Sequence, residues 1–200
     1  MNFTPESIHD CLAITKNLEE TMRGVTHQEL QRLTFLACII SLYAQRPLSD
    51  WGYSFSHTKY GTPFSTEVSA AIGFLEESKH ILSNDGRYVV TDLGNTFYNF
   101  LSTQSYHFNH ILYINAACGS ASALPPGTLA KGLNNEPTIS SNKLRENGMQ
   151  LLYGAAIEIL YEHFQGLYTI FPKDNPDLLS AAVTWLLYVA DEPLSKRMDV

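Results

Sequence analysis

The sequence predicts a mostly α-helical protein with one small β-hairpin. Apolar residues recur at helical spacing along most of the 200 residues, and hydrophobic residues make up 44% of the chain, which is enough to bury a core. One short stretch, Asn84-Asp85-Gly86, is followed by a run of β-branched and aromatic residues. That pattern is typical of a tight turn between two antiparallel strands.

The charge balance argues against a tight, solitary nucleic-acid binder. The net charge is −7 and the sequence pI is about 5.4, and the 13 Lys and Arg residues are scattered. A protein that binds phosphates strongly usually carries a basic patch. Charged residues are only 16% of the chain. A surface this poor in charge suggests that another chain covers part of it, although neutral polar residues can also fill a surface.

The cysteines and the apolar segments indicate a cytoplasmic protein. Cys11, Cys38 and Cys118 are an odd number and form no CxxC pair, which favours buried thiols in a reducing compartment. The first ten residues lack the basic and apolar regions of a signal peptide. The longest apolar run, residues 178–190, is too short to cross a bilayer. We therefore expect no membrane association.

Two helices are predicted at the N-terminus. Thr4 followed by Pro5 is typical of a helix start, and Thr26 with Glu29 three residues later forms a capping box. The second helix is apolar on nearly all sides over residues 35–44. A helix of that kind belongs at the centre of a core.

The order of elements over residues 1–101 is that of a winged-helix module. Thr62 as a cap, with Pro63 at the first helical position, predicts a third helix over residues 63–79. A hairpin over 81–91 would be the wing, and Asp92 turns the chain into a further helix. The alternative is a helical domain with an incidental hairpin.

The second half of the chain, residues 102–200, is predicted to be a helical region with a long loop. A soft boundary falls near residues 102–105, and a helix follows over 107–117. Residues 119–148 are rich in Gly, Pro, Asn and Ser, which predicts a loop that is functional, disordered or docked on a partner, with short helical turns near 128–133 and 141–146. Helices are expected over 149–164 and from Asn175-Pro176-Asp177 to about residue 190.

No catalytic or cofactor-binding pattern stands out, so we expect a non-enzymatic protein without a cofactor or a metal. The chain lacks glycine-rich phosphate loops, a GxSxG elbow and an HExxH motif. His107 and His110 could place two metal ligands on one helical face, but no neighbouring carboxylate or cysteine pair completes a site. Cys118 could act as a nucleophile only beside a base, and the sequence places none there.

The third predicted helix is better suited to protein docking than to reading DNA bases. With Val68, Ile72 and Leu75 turned inward, its opposite face is small, neutral or acidic and consists of Thr66, Ser69, Ala70, Gly73 and Glu77. Base-reading helices expose Arg, Lys, Asn or Gln instead. Any contact with DNA phosphates is expected from four residues at the wing side, which are His57, Lys59, Lys79 and Arg87.

Three motifs carry a family resemblance. They are the KYGTPFS sequence at 59–65, the FLE sequence at 74–76 and the YVVTDLG sequence at 88–94. Together they resemble the small middle-component proteins of bacterial three-component ABC-ATPase systems, which are similar to the small subunit of Lamassu-type defence complexes. The resemblance covers about a third of the chain, residues 28–101. The same pattern recurs in antitoxin-like domains and in winged-helix accessory subunits of condensins.

The resemblance implies a non-enzymatic accessory subunit in antiviral or anti-plasmid defence. Such a subunit docks on an SMC-like ABC ATPase and on an effector, often a nuclease. The alternative is a free-standing winged-helix DNA-binding regulator that dimerises through its C-terminal helices.

Overall fold

The computed structural model describes residues 2–58, 60–125, 127–141, 148–171 and 177–191. These ranges are mostly helical, with two small antiparallel hairpins. The α-helices are α1 Pro5–Met22, α2 His27–Tyr43, α3 Thr66–Glu77, α4 Asp92–Leu101, α5 Ser105–Ala123, α6 Thr128–Asn134, α7 Pro137–Ser140, α8 Ala155–Tyr168 and α9 Leu178–Asp191. A 3-10 helix spans Leu48–Trp51. The strands are β1 Ser56–His57, β2 Pro63–Phe64, β3 Ile81–Asn84 and β4 Arg87–Val90, with β1 paired to β2 and β3 to β4.

The first two helices begin where the capping signals place them. The Thr4 side chain accepts a hydrogen bond from the Ser7 backbone N–H, and the Ser7 side chain accepts one from the Thr4 backbone N–H. Thr26 and Glu29 form the same reciprocal pair at α2. Residues 35–43 of α2 are all buried, which confirms its predicted place at the centre of the core.

The predicted start of the third helix is wrong by three residues. Pro63 lies in β2 opposite His57, and Ser65 caps α3 by accepting from the Val68 backbone N. The extended backbone is fixed by the buried amide of Gln31. This amide accepts from Ser65 N at 2.8 Å and donates to Ser65 O at 3.1 Å. A contact across 34 residues of chain thus overrides the local Thr-Pro signal.

The hairpin of β3 and β4 forms at the predicted turn. Asp85 and Gly86 have φ angles of 50° and 76°, as a turn with two left-handed residues requires. Thr91 then caps α4 by accepting from Gly94 N. The start of α4 lies so close to the hairpin that a Cβ atom on Gly94 would meet the His80 carbonyl oxygen at 2.0 Å. Glycine is therefore required at this contact.

The predicted long loop over 119–148 is wrong for the described part of that segment. Helix α5 continues to Ala123, and α6 confirms the helical turn near 128–133. The helical turn predicted near 141–146 falls almost entirely on residues 142–147, outside the described residues. Leu133 and Ile139 are fully buried, and the Glu136 side chain caps α7 by accepting from two backbone N–H groups. Burial of a few large apolar side chains holds this Gly- and Asn-rich segment in place.

The last two helices begin later than predicted. Residues 149–154 are not helical, because Gln150 bridges to Ser56 and Leu151 N donates to Phe55 O. The cap expected at Asn175-Pro176 lies outside the described residues. At the start of α9 the Asp177 carboxylate accepts from the Ser180 backbone N at 3.1 Å.

One continuous core joins the two halves of the chain. The boundary predicted near 102–105 coincides with the turn between α4 and α5. Helix α5 packs directly against α1 and α2, and α9 packs against α5 and α6. None of the helices in the described ranges combines the length and the hydropathy needed to cross a membrane.

Candidate docking surfaces and a buried histidine cluster

The outward face of α3 carries small side chains that are neutral or acidic. Val68, Ile72 and Leu75 are buried as predicted. On the opposite side, the ends of the predicted docking face are exposed and its middle is half-buried, and the residues are Thr66, Ser69, Ala70, Gly73 and Glu77. Apart from its two chain neighbours and the adjacent backbone of α3, no atom of the described residues lies within 4 Å of the position that a Cβ on Gly73 would take. A larger side chain can therefore be added there without disturbing the fold.

Three of the four residues expected to contact DNA phosphates are described by the structure, and they lie in different surroundings. His57 is only 3% exposed, so that part of the prediction is wrong, because a side chain buried in this way cannot reach a phosphate. Arg87 Nη1 donates to the Gly24 carbonyl at 2.7 Å and lies 3.4 Å from a Glu29 carboxylate oxygen, which ties the hairpin to the turn between α1 and α2. Lys79, at the end of α3, is exposed. Lys59 lies outside the described residues.

A polar cluster lies inside the core between α1 and α5. Its centre is the fully buried carboxylate of Asp10. This carboxylate accepts three hydrogen bonds, from His9 Nδ1 at 2.7 Å, from Tyr53 Oη at 2.6 Å and from His110 Nδ1 at 2.8 Å. Three donors to one carboxylate satisfy most of its acceptor sites, which is what allows a charge to be buried here.

The geometry assigns a positive charge to His110. Its second ring nitrogen, Nε2, lies 3.0 Å from the backbone carbonyl oxygen of Asp50. A carboxylate and a carbonyl only accept, so both ring nitrogens must carry a proton. Burial lowers the pKa of His110, but the hydrogen bond and charge of Asp10 outweigh it, and the net pKa is raised. The Trp51 ring stacks on this imidazole with centroids 4.2 Å apart, which favours the charged form.

The charge of Asp10 follows from the same contacts. Burial raises the pKa of this carboxyl, but the hydrogen bonds and charges of His110 and His9 are stronger together and leave it lowered. Burial also raises the pKa of Tyr53 well above its usual value, so its hydroxyl remains a donor to Asp10. Asp10 and His110 thus form a buried ion pair.

A hydrogen bond connects this cluster to the surface. His9 Nε2 lies 2.9 Å from Nδ1 of His107, which is only half-buried. Burial and the neighbouring His9 lower the pKa of His107, against the opposing charge of Asp10. The cleft beside His110 has a volume of about 10 Å³, which at most holds one water molecule. Hydrogen bonds therefore run from the buried carboxylate of Asp10 to the half-buried His107, and the cleft beside His110 leaves no room for a molecule larger than water.

The sequence pattern identified His107 and His110 without their partners. Packing of α1 on α5 brings the Asp10 carboxylate, 100 residues away in the chain, to His110. The signal that could have found this cluster is the dipeptide His9-Asp10, which interrupts the apolar side of α1. Among the described residues, no group of three or more His, Cys, Asp or Glu side chains could hold a metal ion.

Large apolar side chains are exposed at several places on the described surface, among them two that each involve a pair of helices. On α4 and α5, more than half of each of three side chains is exposed, and these are Phe100, Phe108 and Leu112. At the other place, α8 and α9 enclose an open groove of about 570 Å³. Ile170 and Tyr188 line this groove and are 64% and 52% exposed. Exposed apolar groups that lie together are a usual feature of surfaces that bind other molecules.

Comparison of this chain with protein-family models, with curated proteins and with solved structures finds no match in any of the three.

Proposed function

We propose that this chain is a non-enzymatic accessory subunit that acts by docking on protein partners. The observation that carries the proposal is the outward face of α3. In a winged-helix arrangement, which the order α1, α2, α3, hairpin and α4 supports, this helix is the one that would read DNA. Its outward face has no Arg or Lys, and Gly73 leaves room for a partner to approach closely.

The partners are those that the family resemblance implies. They are an SMC-like ABC ATPase and an effector of the nuclease class, in a cytoplasmic bacterial defence complex against phages or plasmids. In this proposal the subunit holds the effector inactive until the ATPase engages foreign DNA. The exposed apolar side chains of α4, α5, α8 and α9 support a role in assembly, because a chain with two such surfaces can contact two partners.

The test is recovery of partners from the native host with the tagged protein, at moderate salt, followed by mass spectrometry. We expect stoichiometric recovery of a large ATPase and a second protein. Gly73→Arg places a long cation on the docking face and should abolish recovery, and Ser69→Arg should do the same. Gly73→Ala is the matched control and should retain both partners. Normal assembly by both arginine variants would refute docking through α3.

A DNA-binding regulator remains the second candidate because Lys79 is exposed at the end of α3. This function predicts that the isolated protein binds duplex DNA in a salt-dependent way. A gel shift at low salt measures it. Absence of a gel shift at micromolar protein would eliminate this candidate. Recovery of the protein in a stoichiometric protein complex that contains no DNA would eliminate it as well.

A further inference from the structure

The groove between α8 and α9 is an apolar surface with two helical walls. Helix α8 packs on α7, and α9 packs on α5 and α6, so the two helices meet over only a short part of their lengths. The groove has a volume of about 570 Å³ and is lined by apolar side chains from both helices and the segment after α8. They include Ile159, Leu167, Ile170, Trp185 and Tyr188.

A buried hydrogen-bond donor lies beneath this groove. The side chain of Trp185 is almost fully buried beneath it, yet its Nε1–H has no hydrogen-bond acceptor among the described residues. Buried donors of this kind are rare in native proteins and call for an explanation. Because the Nε1 atom is itself buried, it does not identify what binds there, whereas the exposed rings and branched chains at the rim do indicate a surface that another molecule covers.

The dimensions of the groove suit a helix. Ile159 and Leu167 on α8 are eight residues apart, which corresponds to about 12 Å along the helix axis. That span matches the distance over which a docked amphipathic helix places apolar anchors at i, i+3, i+4 and i+7. Gly166 lies between these positions, and apart from its chain neighbours and the adjacent helix backbone no described atom lies within 4 Å of an added Cβ, so the wall is open where a partner side chain would enter.

The charge at the rim selects the partner. Glu158 and Glu162 lie one turn apart on α8, both are exposed, and Glu162 lines the groove. The sequences of α8 and α9 contain no Lys or Arg, and the whole chain carries −7. A second copy of the chain would bring the same two carboxylates against each other, which is unfavourable. A partner helix with basic residues beside its apolar stripe complements both the apolar lining of the groove and the carboxylates at its edge.

We propose that this groove binds a basic amphipathic helix of a partner protein. The apolar face of that helix lies on Leu167, Trp185 and Tyr188, and its Lys or Arg side chains pair with Glu158 and Glu162. The inference rests on the proposed docking function and adds to it a second docking surface, on elements other than α3. It also states the chemistry of what binds there.

The test uses the full chain and a fluorescein-labelled peptide of about 16 residues, with Leu at the i, i+3, i+4 and i+7 positions and Lys at the others. Binding is measured by fluorescence anisotropy at two salt concentrations, and the tryptophan emission, to which Trp51 and Trp185 both contribute, is followed in parallel. Gly166→Leu places a side chain in the open part of the groove wall. Leucine has a higher helix propensity than glycine, so the variant should fold. We expect its affinity for the peptide to fall by about tenfold or more. Gln28→Leu adds the same side chain at an exposed position of α2, outside both proposed docking surfaces, and should bind as the unchanged protein does.

Charge is tested separately. The double change Glu158→Lys and Glu162→Lys should weaken binding by about tenfold and reduce its dependence on salt. A peptide with Glu in place of Lys should bind the unchanged protein with an affinity about tenfold lower. Equal affinity of the two peptides, or an unaltered affinity of Gly166→Leu, overturns the proposal. So does a lack of binding at millimolar peptide, or self-association of the protein that Gly166→Leu abolishes.

The peptide assay needs no cellular partner, so its result is independent of the Gly73→Arg test of the α3 face. Binding of the peptide with intact assembly of Gly73→Arg would keep the groove and remove the α3 surface. Loss of assembly in Gly73→Arg without peptide binding would remove the groove and keep the α3 surface.

Discussion

Replacing Asp10 by asparagine removes the central charge of the buried cluster while keeping the shape of the side chain. The carboxylate accepts bonds from His9, Tyr53 and His110 at 2.6 to 2.8 Å, and all three of these donors approach a fully buried group. Asparagine offers one acceptor oxygen and one amide that cannot accept. At least one donor therefore loses its partner, and His110 loses the anion that stabilises its charge.

The expected loss of stability is about 3 kcal/mol at pH 6. A hydrogen bond to a charged group contributes about 1.5–3 kcal/mol, and removing one partner of a buried ion pair costs about 3–5 kcal/mol. We take the lower end because the asparagine oxygen and amide can still bond to part of the cluster. A domain with an unfolding free energy of about 5–15 kcal/mol tolerates this loss and remains folded.

The pH dependence identifies the ion pair. The folded-state pKa of His110 is raised above its ordinary 6.5, so its contribution to stability is complete below pH 6.5 and is lost as the pH rises through the folded value. The pKa of Asp10 is lowered below 3.8, so its contribution is present above pH 3.8 and is lost as the pH falls through the folded value. The difference in stability between the unchanged protein and Asp10→Asn should be largest between pH 4 and 6.5 and should shrink toward pH 9.

Urea denaturation followed by circular dichroism measures this difference at several pH values. Asp50→Asn is the matched control, because His110 bonds to the backbone oxygen of Asp50 and the side chain of that residue is exposed. We expect this control to stay within about 0.5 kcal/mol of the unchanged protein. If Asp10→Asn lowers the free energy of unfolding by less than about 1 kcal/mol at pH 6, or by an amount that does not vary with pH, the buried ion pair is refuted.

Two further predictions concern packing and thiol chemistry. Gly94→Ala should lower the unfolding free energy by about 2 kcal/mol or more, because its Cβ meets the His80 carbonyl oxygen at 2.0 Å, whereas Gly73→Ala at an open helical position should raise it by about 0.5–1 kcal/mol. Thermal unfolding of both variants measures this contrast, and equal effects would contradict the close contact. The three cysteines should react with Ellman's reagent at pH 8 only after denaturation, because burial raises the pKa of each thiol, in Cys118 to about 12. Rapid labelling of the folded protein would show that a thiol is accessible.

Much of the architecture follows from short-range signals in the sequence. The caps at Thr4 and Thr26 each depend on a side chain that bonds to a backbone group three residues away. The turn at Asp85 and Gly86 depends on two residues that tolerate left-handed backbone angles. The buried stripe of α3 is likewise a repeat within one helix. Each of these signals involves residues that lie within a few positions of one another, so it can be recognised in the sequence without the tertiary structure.

The sequence by itself therefore determined the helical class, the hairpin and the neutral or acidic outward face of α3, but tertiary packing decided the rest. Pro63 lies in a strand because Gln31 holds the next residues extended, and His110 is charged because α1 brings Asp10 against it. The groove between α8 and α9 exists because these helices pack on different neighbours. Each of these features depends on contacts between residues far apart in the chain, whose free energies are set by burial and geometry and leave no fixed spacing in the sequence.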